Sequence, residues 1–597
     1  MRAISLRRWL RRGPPRHYRG PEVPALLGRL GSLLEAGKVG GVEEWAEQPA
    51  LAETYWYPTK PRATERMVPE AAALLSGRFR PANRFPRQEL GFPPPWGADP
   101  FDDDNWQSNL HGLEWLIPLV HAHAGEPGGG YLEAAARTIG DWIEGNPFRG
   151  SPSRFSWHDH ASAKRLRLFA WFWEQYRKSD GLEEGFARLL LASVYQHALY
   201  HMDGRNYRED SNHGLEAIGA LLAAGITFSM FREAEGWTEV AFGRLEQWLK
   251  DNLSPEGFHM EQSPAYHWFV LLRLAAIDRF LRANRRQVGY LAEATERAAE
   301  VWPYLLKPDG TVPSVGDSSR MAPKDWRGYL SRRWARPVPE ASGSGAGGER
   351  RGGFVVSPRA GYAIFSGGDS KERQGGPETH VLFRCRAFSS PHFHNDALSF
   401  VLYGLGRDWI VDPGYLNYHE SDPRRQYLRS PRAHSGVVDE VRDARVHASE
   451  CLEWGRAEEG DFVVATHDLP EGRHTRRLVF ASPRRLVIRD EISPARPGGV
   501  KWSQLFQVAP GLEVEVKSER EAHLVSPEGA RCVVEQSAAG EWQVVKGQEK
   551  PRLQGWYSAG YGEWEASATL FFRPSAETLE LESRVRLEPA PSEELSP

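Results

Sequence analysis

The chain has 597 residues and a formal net charge of −4, with 40% hydrophobic and 26% charged residues. That length exceeds one ordinary core and predicts two or more domains, while the composition excludes a disordered chain. The small negative charge argues against a dedicated nucleic-acid binder, yet leaves room for a local basic cleft facing a polyanion.

The N-terminus, MRAISLRRWLRRGPPRHYRG, is basic but carries no apolar run. A cytoplasmic location is therefore expected, with a periplasmic or secreted protein as the alternative if the start is mis-assigned. No stretch approaches the ~18–20 apolar residues that span a bilayer, so no membrane insertion is expected. From about Pro24 to Leu330 the pattern is helical. Segments such as LHGLEWLIPLVHAHAG, GFARLLLASVYQHALYHM, HGLEAIGALLAAGITF and YHWFVLLRLAAIDRFLRAN repeat apolar residues at three- and four-residue spacing. Short joints of Gly, Pro, Asp or Asn suit antiparallel hairpins, and many in succession favour an α/α toroid or solenoid. Residues 337–353 have linker composition. Beyond them, short runs such as HVLFRCRAF, ALSFVLYG, DWIVDPG and RLVIRDEI alternate with turn residues and predict an antiparallel β-sandwich. The expected fold class is thus α+β multidomain, an N-terminal (α/α) toroid (1–336) followed by a C-terminal antiparallel β-sandwich (354–597).

The 22 Trp residues could stack on sugar rings, but packing between helices explains any one of them better. Three cysteines, Cys385, Cys451 and Cys532, lie far apart and form no CxxC pair, so neither a disulfide framework nor a thiolate-rich metal site follows.

Polar residues that a core would not require gather in four segments. In YREDSNHGLEAIG, Asn212 and His213 open a helix, where Ser211 or Asn212 could equally be a cap. GFHMEQSPAYHWFVL gathers His259, Glu261, Gln262, Tyr266 and His267 at a helix start that Ser263-Pro264 would provide. In SSPHFHNDALSF, His392 and His394 point to one side of an extended chain. A turn centred on Tyr403 to Gly406 would place Asp412 opposite Ala397, near His394. In DPRRQYLRSPRAHSGVVD, His434 could complete a His/His/Asp set with His394 and Asp412, a donor set that suits zinc. The nearby Arg424, Arg425, Arg429 and Arg432 could pair with carboxylate or sulfate, or with Asp422 and Asp439. WHDH, at Trp157 to His160, is a competing metal-like cluster that a substrate loop or helix cap explains equally well, and no metal is assigned to it.

Taken in order, SNHGLE, GFHMEQSPAYH, PHFHNDALSF, WIVDPG and RSPRAHS, with the later RLVIRDEI and GWYSAGYGEWEA, resemble the heparinase II/III family from about Asp102 to Arg573. The resemblance implies an α/α toroid, a β-sandwich and a polysaccharide lyase that cleaves a uronic-acid-containing polysaccharide or glycosaminoglycan by β-elimination, with its active site between the two halves. It implies that Asn212 binds the uronate carboxylate beside His213, that Tyr266 is base or acid, and that His392 is a catalytic histidine. It also implies that His394, Asp412 and His434 hold zinc or another divalent metal, expected here to be structural. Glu261, Gln262, His267, Arg425 and Arg429 are expected to contact the acidic polysaccharide. Ser435 departs from the pattern, since Asn more often follows the Ala-His pair. The alternative is a relative that acts in bacterial surface-polysaccharide assembly or binding. The polymer, the cleavage mode and the oligomeric state are not specified by the sequence.

Overall fold

The computed structural model describes residues 19–33, 64–338, 353–368, 379–388, 390–440, 449–495, 501–575 and 578–591. Most of the expected linker, 339–352, lies outside the described residues. Two compact units are formed: Met1–Lys250 with Arg273–Ala292, and Asp251–Leu272 with Glu293–Pro597. The segment GFHMEQSPAYH therefore belongs to the same unit as the β-rich half, although its motif reads as the start of a helix.

The first unit is built from the expected helices, among them Tyr131–Gly145, Asp159–Tyr176, Glu184–Met202 and Asn212–Thr227. One expectation is corrected. LHGLEWLIPLVHAHAG is not a single helix, because Asp104–Gly112 ends at Leu113 in the left-handed region (φ 59°) and Ile117–Gly125 begins again on Pro118. Proline suits that first turn, where its missing N–H costs nothing. A two-stranded ribbon, Arg78–Phe79 with Gln88–Glu89, also lies in this unit. Trp106, Trp142, Trp157, Trp173, Trp237 and Trp248 are fully buried, which supports the packing reading of tryptophan. Among the described residues, no helix is long and apolar enough to cross a membrane.

The second unit holds antiparallel sheets of five, eight and four strands. The five-stranded sheet runs in sequence order from Phe354–Ser357 to Arg407–Ile410. The eight-stranded sheet is bounded by Glu513–Ser518 at one end and Ser449–Ala457 at the other. A single core spans both, with Phe365, Phe383 and Leu402 from the first and Leu478, Ile488 and Val585 from the second. Period-2 side chains explain this: in Arg485–Pro494, Leu486, Ile488 and Ile492 turn inward. The hairpin before Asp412 turns at Leu405 and Gly406, both at positive φ, and pairs Leu402 with Ile410 across a bulge. Asp412 therefore continues toward Phe400, not toward Ala397 as the assumed turn would place it.

Candidate active site and metal centre

The helix Pro264–Ala283 starts where its sequence allows, with Pro264 in the first turn. Its free Ala265 N–H donates to Ser318 Oγ at 3.1 Å, and Ser318 Oγ also bonds Ser263 Oγ at 2.7 Å. This fixes the turn that carries Tyr266. The Tyr266 ring stacks on His392, with centroids 3.5 Å apart and planes at 17°. Its hydroxyl bonds the Tyr418 hydroxyl at 2.9 Å. Burial pushes the Tyr266 phenol pKa up, against partial relief from the Tyr418 bond, so the resting group is neutral.

Asp317 organises the site. His392 Nδ1 donates to its Oδ2 at 3.0 Å, and His394 Nε2 donates to its Oδ1 at 3.1 Å. Arg425 closes the other side with a bidentate pair at 2.9 and 3.1 Å. Burial alone would raise the carboxyl pKa, but Arg425 and the two imidazoles hold it well below the carboxylate range. An ionised carboxylate only accepts, so His392 turns its Nδ1–H and His394 its Nε2–H toward it, and burial lowers the His394 pKa so that its Nδ1 keeps its lone pair. Gly316 permits this arrangement. It sits at φ +60°, and a Cβ there would come within 2.7 Å of the Gln262 carbonyl and 3.0 Å of the His392 carbonyl.

His394, Asp412 and His434 are buried together, with one ligand atom from each within 4.8 Å of the others. His434 Nδ1 donates to Asp412 Oδ2 at 3.0 Å. The His394 Nδ1 and His434 Nε2 atoms are buried without a hydrogen-bond partner. Two orphaned imidazole nitrogens beside a carboxylate fit a divalent cation, and the Asp317 bond to the far nitrogen of His394 is the support that metal-binding histidines usually receive.

The expected substrate contacts are placed differently. Gln262 is 1% exposed and binds Arg384 and the Phe388 carbonyl through its side-chain amide. His267 donates from Nε2 to the Ala298 carbonyl at 2.9 Å and accepts the His259 N–H at Nδ1, and burial lowers its pKa to about 3. Glu261 is 1% exposed, with its carboxylate 3.9 Å from His392 Nε2. Arg425 is spent on Asp317, and Arg429 pairs with Glu420 at 2.7 Å while donating to the Phe393 carbonyl. Buried groups with internal partners brace the site here, and framework support replaces the sugar contacts expected of Gln262, His267 and Arg425.

In the first unit, Asn212 and His213 open the helix Asn212–Thr227 as expected. Ser211 holds the cap position, yet its side chain makes no cap hydrogen bond. Gly214 is required because a Cβ would meet the Arg208 carbonyl at 2.1 Å. His213 Nδ1 donates to Asp159 Oδ1 at 3.2 Å, and its ring stacks on His160 at 4.6 Å. Asp159 Oδ1 also receives the His160 N–H at 2.7 Å and lies 3.0 Å from His158 Nδ1. His158, Asp159 and His213 could geometrically hold an ion. Arg208 acts on Asp159, and Lys164 and Arg167 act on His160, so the surroundings are cationic and disfavour a further cation. Trp157 of the same motif is core, with its indole N–H on the Asn146 carbonyl.

Residues 56–342 match the family model Heparinase II/III N-terminus, and residues 349–588 match Heparinase II/III-like, C-terminal. The chain belongs to the heparinase II/III family. It is 23% identical over 467 residues to a heparin-sulfate lyase of Pedobacter heparinus, covering 74% of this chain and 68% of that protein. A heparin-sulfate lyase of Bacteroides thetaiotaomicron is 23% identical over 459 residues, covering 70% of this chain and 64% of the relative. The crystal structure of Heparinase III matches with a TM-score of 0.74 at 18% identity, over 95% of this chain and 89% of the other. The expected α+β fold class is thereby shared with that structure.

Within this heparinase II/III family member, sequence reasoning missed Asp317 and Tyr418, while Asp159 lies in the WHDH motif it had singled out. Asp317 follows the glycine of VGDSS, and Tyr418 ends GYLNY just beyond Asp412. The only local signal for either was its place in a polar, Gly-containing turn, which loops generally share.

Proposed function

We propose that this chain is a polysaccharide lyase that cleaves a uronic-acid-containing polysaccharide or glycosaminoglycan by β-elimination. One observation carries the reading: a neutral Tyr266 phenol stacked on an imidazole whose Nδ1 is tied to a buried carboxylate. Two heparin-sulfate lyases among its relatives favour cleavage over a role in assembly or binding alone.

β-Elimination removes the proton at C5 of the uronate and expels the oxygen at C4. His392, with Nδ1–H committed to Asp317, offers the Nε2 lone pair as the base. Tyr266, held protonated by burial, delivers a proton to the departing C4 oxygen, and Tyr418 fixes the direction of its hydroxyl. The carbanion beside a carboxylate needs its charge drawn off. Asn212 and His213 are assigned to the uronate carboxylate, each donor contributing about 3 kcal/mol in the transition state.

His394, Asp412 and His434 would hold zinc or a similar divalent ion, which when bound supplies a fixed anchor for the ligand loops. The assay incubates the protein with heparan sulfate, hyaluronan, chondroitin sulfate or alginate and follows the ultraviolet absorbance of the new conjugated double bond. A rise on one polymer supports the proposal; no rise on any of them overturns it.

A further inference from the structure

We propose that Cys385 and Cys451 form a redox-convertible pair that closes into a disulfide at the base of the segment carrying His392 and His394. The sequence separates these cysteines widely, but the second unit brings their segments together. Cys385 directly follows the Thr379–Arg384 strand, and Cys451 lies in Ser449–Ala457, the outer strand of the eight-stranded sheet. Ser449 ties the two segments: its Oγ accepts the Ala387 N–H at 2.6 Å and donates to the Ala387 carbonyl at 2.9 Å.

Side chains two residues apart on an extended chain share a face. Counting back from Ala387 reaches Cys385, and counting on from Ser449 reaches Cys451, so an antiparallel passage sets the two thiols opposite one another. Packing agrees, since Cys385 is wholly buried in the sandwich core and the half-buried Cys451 packs against that core. Burial pushes the Cys385 thiol pKa up, and a hydrogen bond with Cys451 adds to the shift, which places the sulfurs in contact. Cys532 sits between Leu524 and Leu587, near the opposite end of the eight-stranded sheet from Cys451, and burial pushes its thiol up as well.

The chemistry follows from exposure. Cys451 is the thiol that a small disulfide can reach. Its thiolate attacks RSSR, forming a mixed disulfide and releasing RS⁻. Cys385 then loses its proton to buffer and attacks the Cys451 sulfur, releasing the second RS⁻. The net change is RSSR plus two protein thiols giving one protein disulfide plus two RSH. The raised Cys385 pKa slows the second step at neutral pH and speeds it as pH rises. It also means that the reduced form gains nothing from thiolate stabilisation, so the disulfide resists reduction once closed.

The test uses the full chain and is independent of the lyase reading. The reduced protein is incubated with oxidised glutathione in mildly alkaline buffer, then denatured, alkylated and mapped by mass spectrometry without reduction. Three free thiols should fall to one, with the Cys385 and Cys451 peptides cross-linked and the Tm several degrees higher. Cys385→Ser should instead trap glutathione on Cys451, because the resolving thiol is gone. Retention of three free thiols in the wild type, a stable glutathione adduct on wild-type Cys451, or a cross-link to Cys532 would each overturn the proposal.

Discussion

Replacing Asp317 by Asn keeps the shape of the side chain and removes what the site depends on. The carboxylate accepts from His392, His394 and both terminal nitrogens of Arg425, and it is 2% exposed. An amide offers one accepting oxygen and one donating nitrogen. If the oxygen serves His394, the NH₂ faces His392 Nδ1 and drives that ring to the tautomer with the proton on Nε2, where the base is needed. Losing a positioned base costs about 10²–10⁴ in rate. The buried Arg425 keeps Glu420 at 3.1 Å but loses its bidentate partner, which lowers stability as well. The expected result is kcat lowered at least 100-fold with KM little changed, together with a lower urea midpoint. The assays are initial rates by ultraviolet absorbance on the cleaved polymer and urea unfolding followed by tryptophan fluorescence. Wild-type kcat in a folded Asp317→Asn protein would refute the tautomer argument.

Tyr266→Phe removes one hydroxyl and its bond to Tyr418, so stability should fall by only about 1 kcal/mol while turnover drops at least 100-fold; unchanged turnover removes Tyr266 from the mechanism. Chelation should lower the Tm before it lowers turnover measured at 25 °C, and His434→Ala should abolish that chelator response. His267 is held neutral by burial, with a pKa near 3 against ~6.5 in the unfolded chain. Its contribution is complete above pH ~6.5 and is lost as pH falls toward 3, because only the unfolded chain takes up the proton. Between pH 7 and 5 that is about 2 kcal/mol, and a urea midpoint that stays flat over this range would contradict it. Gly316→Ala should destabilise the second unit and reduce activity together, as read by Tm and rate, since the Gln262 and His392 carbonyls leave no room for a methyl group.

The sequence was most readable where chemistry and local pattern coincide. Tyr266 follows a Ser-Pro helix start, and His392, His394, Asp412 and His434 are unusual residue types in β-rich surroundings. Helix periods located Asn212–Thr227 and Pro264–Ala283 closely. What escaped was set by long-range pairing. Asp317 meets His392 across 75 positions and Arg425 across 108, so neither the hub nor the fate of the arginine was visible locally. Arg425 looked available because Asp317 is distant in the chain, whereas Arg424 pairs with Asp422 as the sequence allowed. The Asp412 register failed on Leu405, which adopts a positive φ that leucine seldom takes, in a turn shorter than the one assumed. The Cys385–Cys451 approach depends on two strands from different hairpins, which spacing alone cannot reveal.

Among the described residues, the last strand of the eight-stranded sheet, Glu513–Ser518, has one row of backbone groups without a neighbouring strand. Such a border invites a second molecule to add its own strand and begin aggregation. Its sequence EVEVKS places Glu513, Glu515 and Lys517 on one side, with Lys517 and Glu515 paired at 2.6 Å. A copy approaching in register would bring like charges together and strip their hydration. That border therefore acts as a guard against self-association, and neutral replacements at Glu513, Glu515 and Lys517 should make the concentrated protein aggregate while leaving its fold intact.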